Sequence, residues 1–264
     1  MRRKILFIII FLSLGYLLAM FFNRPSSPAP DTVQAPAQIP AANQNTQPVQ
    51  SNKEKNNPPS LAVPSAITET IKLNVPFSVQ APFGNWSDPV FQNACEEDSI
   101  VMAMGWINGV PTISSDSAQK KILDIVNFEN RTFGYNADTD VFDVQKIFQQ
   151  YFHQQNISVQ ENITVSDINQ ELQKGNLVLV PAFGQALGNP NYTAPGPVEH
   201  MLVIIGYDPT TKEFITNDSG TRHGSGYRYN ENVLWKAIWE YPSSQKAVPA
   251  PTGVFKKAMI VVSK

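Results

Sequence analysis

The sequence predicts an α+β domain in which helices come first and a mostly antiparallel sheet follows. Three observations carry this. Apolar residues recur at helical spacing in three early stretches: behind Cys95, from Ser115 to Phe128, and from Asp140 to Phe152. Short apolar runs take over after Gly175, at Leu177 to Pro181, Met201 to Tyr207, Glu213 to Asn217 and Val254 to Val262. Between the second and third of these, Asp208-Pro209-Thr210-Thr211-Lys212 has the composition of a tight turn, so the flanking runs read as a hairpin.

Ahead of that domain lie two segments of different character. Arg2, Arg3 and Lys4 precede an apolar run of eighteen residues from Ile5 to Phe22. At about 1.5 Å per residue it is long enough to cross a bilayer core of about 30 Å. The basic residues before it keep the amino end cytoplasmic. The run ends in Met20-Phe21-Phe22-Asn23-Arg24, without the small residues of a signal-peptidase site, so 1–23 is expected to be an uncleaved anchor. Residues 24–67 are rich in Pro, Ala, Gln, Asn and Ser. With almost no large apolar side chains they cannot offset the entropy of ordering, and a disordered tether is expected.

The folded part is expected over 68–264. Ile71 to Phe77 alternates apolar and polar and reads as an edge strand, kept at the periphery by Pro76. The loop 78–86 follows, with Pro82, Gly84 and Trp86. The helix behind Cys95 has its apolar stripe at Ile100, Val101, Ala103, Met104 and Ile107, and stops near Asn108-Gly109. Glu96, Glu97 and Asp98 fill its first turn, where the helix dipole favours acids. The helix from 140 to 152 has Thr139 or Asp140 as its N-cap, with Val141, Val144, Ile147, Phe148 and Tyr151 on one face. Ile157 to Gln160 reads as a short strand, and Val165 to Lys174 as a helix closed by Gly175. Met201 to Tyr207 is apolar on both faces, as a buried strand is. Asn230 to Glu240, carrying Leu234, Ile238 and two tryptophans, reads as the last helix.

Composition removes several functions. A net charge of −2 leaves no basic surplus for nucleic acid. A single cysteine excludes an internal disulfide framework and thiolate-rich zinc sites. The three histidines are scattered without ligand spacing, so neither a metal nor another cofactor is expected.

What remains is nucleophilic chemistry. A thiol at the mouth of a helix is well placed to become a thiolate, because unpaired backbone N–H groups face it. Such a nucleophile needs a base within reach and a third group to orient that base. His153 ends a helix and reads as a solvated cap; His223 sits in an exposed glycine-rich loop. His200 differs, since it opens the apolar strand 201–207 beside an irregular, proline-rich loop. If the hairpin forms, position 200 lies opposite 217–218, and Asp218 or Asn217 then orients the imidazole. The Cys95 N–H is one oxyanion donor; Gln80 or Gln92 qualifies as a side-chain second, with Gln80 the freer to fold back. The acids beside Cys95 oppose the thiolate by like-charge repulsion.

Four stretches resemble the bacterial C39-like cysteine peptidase family, of papain-like fold: Val75-Pro76-Phe77-Ser78-Val79-Gln80, Asn93-Ala94-Cys95-Glu96-Glu97-Asp98-Ser99, His200 to Asp208, and Thr216-Asn217-Asp218-Ser219. The resemblance covers about 71 to 262. It implies Cys95 as nucleophile, His200 as general base and acid, Asp218 as its orienting partner, and Gln80 at the oxyanion. Many relatives carry Gly-Pro or Gly-Ala after the cysteine, where this chain has Glu96-Glu97. The expected activity is amide hydrolysis on peptide or protein, at the outer side of the membrane that the anchor crosses. Trp86, Phe183 and Tyr192 are the expected substrate-binding rim. Cell-wall peptide cleavage and a non-catalytic peptide-binding module are the alternatives on the same fold.

Overall fold

A computed structural model describes residues 67–243 and 248–264. The anchor expected over 1–23 and the tether over 24–67 lie outside the described residues, Ile67 apart. No helix among the described residues is long and apolar enough to cross a membrane.

The first half is helical. α1 (Pro89–Gln92) is a single turn that the sequence did not announce; Asp88 caps it by accepting from Val90 N–H at 2.9 Å. α2 (Cys95–Ile107) follows at once. It is buried on every side from Cys95 to Trp106, so the apolar stripe understates it: this helix lies at the centre of the domain. α3 (Ser115–Thr132) starts at Ser114, whose hydroxyl accepts from Ser117 N–H. α4 (Val141–Lys146) starts at Asp140, not Thr139, because the Asp140 carboxylate accepts from Phe142 and Asp143 N–H at 2.9 Å each. It runs on through a π-helical turn, Ile147–Tyr151.

The second half builds the sheet from β1 (Ile71–Lys72), β2 (Ile157–Glu161), β3 (Leu177–Phe183), β4 (Glu199–Asp208), β5 (Glu213–Asn217), β6 (Tyr227–Asn230) and β7 (Ala258–Val262). Their order is β2-β7-β3-β4-β5-β6, with β1 on β4, and every pairing is antiparallel. Alternation along the central strands sends Leu177, Leu179, Met201, Val203, Ile205 and Ile260 into one core with α2, α3 and α4. Val178, Val180, Leu202, Ile204, Met259 and Val261 enter the other, beneath α5 (Val165–Gln173), α6 (Gly184–Leu187) and α7 (Glu231–Ala237). The sheet is therefore covered on both faces, which is why its middle strands are apolar throughout.

Some element boundaries move, each for a local reason. The edge strand shrinks to Ile71–Lys72 because Val75 N–H turns back to Leu73 O at 3.1 Å and Pro76 has no N–H. It docks over Gly206, where an added Cβ would lie 2.1 Å from Ile71 O. The last helix stops at Ala237, since Ile238 bridges to Ala182 and Trp239 N–H bonds to Pro181 O at 3.0 Å. The final strand starts at Ala258 rather than Val254.

The acids of α2 are inside the protein. Glu97 lies buried near Glu129 of α3, and among the described residues the Glu97 carboxyl oxygens have no close donor. Burial pushes both upward, helped by the charge of Glu129 at Glu97 and by the charges of Glu96 and Asp143 at Glu129. Asp98, bonded by the Ser78 hydroxyl, is pushed up to about 7 by burial. A carboxyl raised in the folded state stabilises fully below its unfolded value, and that contribution is lost as pH rises through the folded value. The groups with lowered values, such as Asp218, act only at more acid pH. Thermal melting should therefore give a Tm at pH 8 about 4 °C or more below that at pH 5. In Glu129→Gln that difference should shrink; an unchanged slope would show that the pair does not share a proton.

Candidate active site

Cys95 is the first residue of α2, and the helix begins without a side-chain cap because Ala94 holds the N-cap position. Its N–H has no partner among the described residues, and the helix adds a partial positive charge there. Its sulfur is buried and donates to Glu96 Oε2 at 3.0 Å. Burial first, and then the charge of Glu96, push the thiol well above its ordinary range.

His200 is the second residue of β4 and is buried. The β4–β5 hairpin is present, but with a bulge at Ile205 that moves the register to Val203 opposite Asn217. Carried on, that register puts Gly220 level with His200, not 217–218. Asp218 reaches back along the strand, and its Oδ1 takes His200 Nε2 at 2.9 Å. Gly220 leaves the space for this: a Cβ there would lie 3.0 Å from His200 Cε1 and 3.2 Å from Asp218 Oδ1. Asn217 is occupied elsewhere, donating to Val75 O and Pro76 O and accepting from Gly226 N–H.

Asp218 is the most heavily bonded carboxylate of the site. Oδ1 also accepts from Gly220 N–H at 3.0 Å. Oδ2 accepts from Tyr192 OH at 2.6 Å, Tyr229 OH at 2.5 Å and Asn189 Nδ2 at 3.3 Å. Burial alone would raise this carboxyl, but His200 and the two phenols outweigh it and hold it below the usual range. Asp218 accepts in this pair, so Nε2 is the ring nitrogen that donates to it.

Cys95 and His200 line one cavity of about 810 Å³, together with Gln80, Gln92, Trp86 and Tyr192. Gln80 is buried, and its Nε2 is spent on Phe91 O at 3.1 Å and Gln92 O at 3.0 Å. It reaches an oxyanion only by giving up one of those bonds. Gln92 is exposed, and its side chain has no bond among the described residues. Tyr192 belongs more to the machinery than to the rim, since its ring stands edge-on to His200, centroids 5.6 Å apart, and its hydroxyl serves Asp218. Phe183 is a correction. It does not line the cavity but packs on Trp239 and Phe255, each at 6.3 Å, in an aromatic cluster supplied by later parts of the chain.

Sequence reasoning missed several contributors. Tyr229 and Asn189 come from segments without a visible motif, and only the fold aims them at Asp218. Asp138 lines the cavity in a left-handed backbone at φ 49 and is pushed up to about 7, by burial and then by Glu96 and Glu199. Asp138 and Glu199 give the cavity an acidic element, Arg222 and His223 a basic one. His223 is exposed, as the glycine-rich loop implied, yet faces this space. His153 is exposed after the π-turn at φ 56.

A model of the Peptidase_C39 like family matches residues 72–247. A crystal structure from Bacillus anthracis assigned to the C39-like peptidases superposes with a TM-score of 0.47 and 15% identity, covering 74% of this chain and 98% of that one. No curated protein matches the chain.

Proposed function

The chain belongs to the Peptidase_C39 like family, and from that premise we propose that it is a cysteine peptidase of papain-like fold using Cys95, His200 and Asp218. Residues 68–264 form the catalytic domain, held outside the cytoplasm by an anchor at 1–23 and a tether at 24–67. The observation that carries the reading is the bond from His200 Nε2 to a fully satisfied, ionised Asp218, in the same cavity as the only cysteine. It leaves Nδ1 as a base for the thiol.

The chemistry follows from these positions. His200 Nδ1 takes the Cys95 proton, and the sulfur adds to the substrate carbonyl carbon. The Cys95 N–H meets the oxyanion at the positive end of α2. The imidazolium then gives its proton to the departing amine, and water cleaves the thioester with His200 as base. Asp218 keeps the ring oriented throughout. Trp86 supplies an apolar wall for substrate side chains, and Glu199 and Arg222 suit a peptide carrying both signs.

One observation favours a second reading. A thiol raised by burial and by Glu96 suits a module that binds peptides without cutting them. The two readings separate when the full-length protein is incubated with a mixed peptide library and with cell-wall fragments. A peptidase releases defined fragments and carries a transient acyl group on Cys95; release from cell walls alone would assign the substrate to wall peptides. Bound peptides that stay intact, with no acyl-enzyme, would leave only the binding module.

A further inference from the structure

We propose that Glu96 is a catalytic residue of this site: it accepts the thiol hydrogen of Cys95 and keeps the nucleophile protonated, turned from His200, until substrate arrives. The proposal rests on the cysteine-peptidase reading and deepens it by assigning the resting state and its release.

The carboxylate is built for one task. Both its oxygens are engaged, Oε2 by Cys95 Sγ–H at 3.0 Å and Oε1 by the Tyr241 hydroxyl. Glu96, Cys95 and Tyr241 are all buried, so these bonds form out of water, where an unpaired carboxylate would be costly. Tyr241 comes from the segment after α7, 145 residues along the chain from Glu96, and pins a side chain that would otherwise turn away. A carboxylate placed only to meet the helix dipole would need no such partner.

The surroundings favour the thiol as well. Asp138 faces the sulfur from the loop before α4, while Glu97 of α2 and Glu129 of α3 stand behind Glu96. Tyr241 and, from β4, His200 also act on the pair. Of these, His200 alone is able to carry a positive charge. A thiolate would form among acids, so the neutral thiol is the default, and oxidation, which needs thiolate character, is suppressed between turnovers.

Release is a turn of the S–H bond away from Glu96 Oε2 into the cavity that His200 also lines, where Nδ1 receives the proton. The proton passes to Nδ1 as the sulfur's electron pair forms the S–C bond and the carbonyl π pair moves to oxygen. The same proton leaves Nδ1 for the substrate nitrogen as the C–N bond breaks. Burial raises the Glu96 carboxyl, against the lowering bonds from Tyr241 and Cys95; Glu96 keeps the Tyr241 bond during turnover and takes back the S–H when the thioester is hydrolysed.

The chain has one cysteine, so the infrared S–H stretching band of the full-length protein reports Cys95 alone. At neutral pH the band should be present and displaced to lower frequency than that of a thiol in water. In Glu96→Gln it should move back up, and alkylation by iodoacetamide at pH 7 should quicken about tenfold, the effect of one pKa unit. Tyr241→Phe leaves the carboxylate more basic and should lower the frequency further, which decides the matter if Glu96→Gln does not fold. An absent or undisplaced band in the natural protein overturns the proposal. So does a band that neither substitution moves. Peptide turnover with an undisplaced band removes the role of Glu96 and leaves the peptidase reading standing. A displaced band without any turnover removes both, since Glu96 then has no reaction to serve.

Discussion

Replacing Cys95 with alanine should leave a folded protein that cleaves peptide at least about a thousandfold more slowly, because losing a nucleophile removes the covalent route altogether. The structural cost is small. The side chain is buried, and its removal deletes about one methylene's worth of packing, near 1 kcal/mol. Glu96 loses one donor but keeps Tyr241. The measurements are thermal melting, peptide turnover, and the mass of the protein after exposure to a thiol-reactive peptide electrophile. The natural chain should gain one adduct and the variant none. Undiminished turnover by a folded Cys95→Ala protein would move the nucleophile elsewhere.

Asp218→Ala should be the most damaging single change in the site for stability and activity together. It strips the acceptor from His200 Nε2, Tyr192 OH, Tyr229 OH, Asn189 Nδ2 and Gly220 N–H at one stroke. An unsatisfied buried donor costs about 1–3 kcal/mol, and water entering the space recovers part of it. A net loss of about 3–5 kcal/mol is expected, a fall in Tm of about 10 °C or more. Turnover should fall about 10⁴-fold, because His200 loses both its orientation and its tautomer. Asp218→Asn distinguishes the two effects, since its amide oxygen still accepts. Most of the Tm should return, while the lost charge no longer stabilises the imidazolium. Melting curves and kcat on the three proteins provide the comparison. An Asp218→Ala protein with the natural kcat would remove Asp218 from the reaction.

Much of this was legible in local sequence. The helix from 140 was legible down to a choice of cap between Thr139 and Asp140, because such side chains reach the next free N–H groups whatever the tertiary setting; the Ser114 cap came only with the structure. The hairpin at 208–212 follows from its turn residues, and the apolar stretch 201–207 from its place between two cores. Elsewhere a distant partner decided. The helix near 230–240 has helical spacing to its end, yet Ile238 and Trp239 leave it to bond with β3. Phe183 looked like a rim residue because it sits beside the proline-rich loop, but Trp239 and Phe255 cover it.

The site divides in the same way. That a lone helix-mouth thiol, a strand-end imidazole and an Asn-Asp pair belong together could be argued from residue types and order, because nucleophile, base and orienting group are chemically distinct. Which of Asn217 and Asp218 meets His200 depended on a bulge at Ile205 that no local rule announces. The tyrosines on Asp218 and the Tyr241 hydroxyl on Glu96 come from far along the chain, and their bonds exist only once both cores have closed. Sequence by itself determined the α+β class and the candidate nucleophile, base and orienting group, since those rest on residue types and their neighbours in the chain. Tertiary structure alone decided how burial and charge bear on Cys95 and Asp218, since a buried charge answers to whatever the fold packs around it.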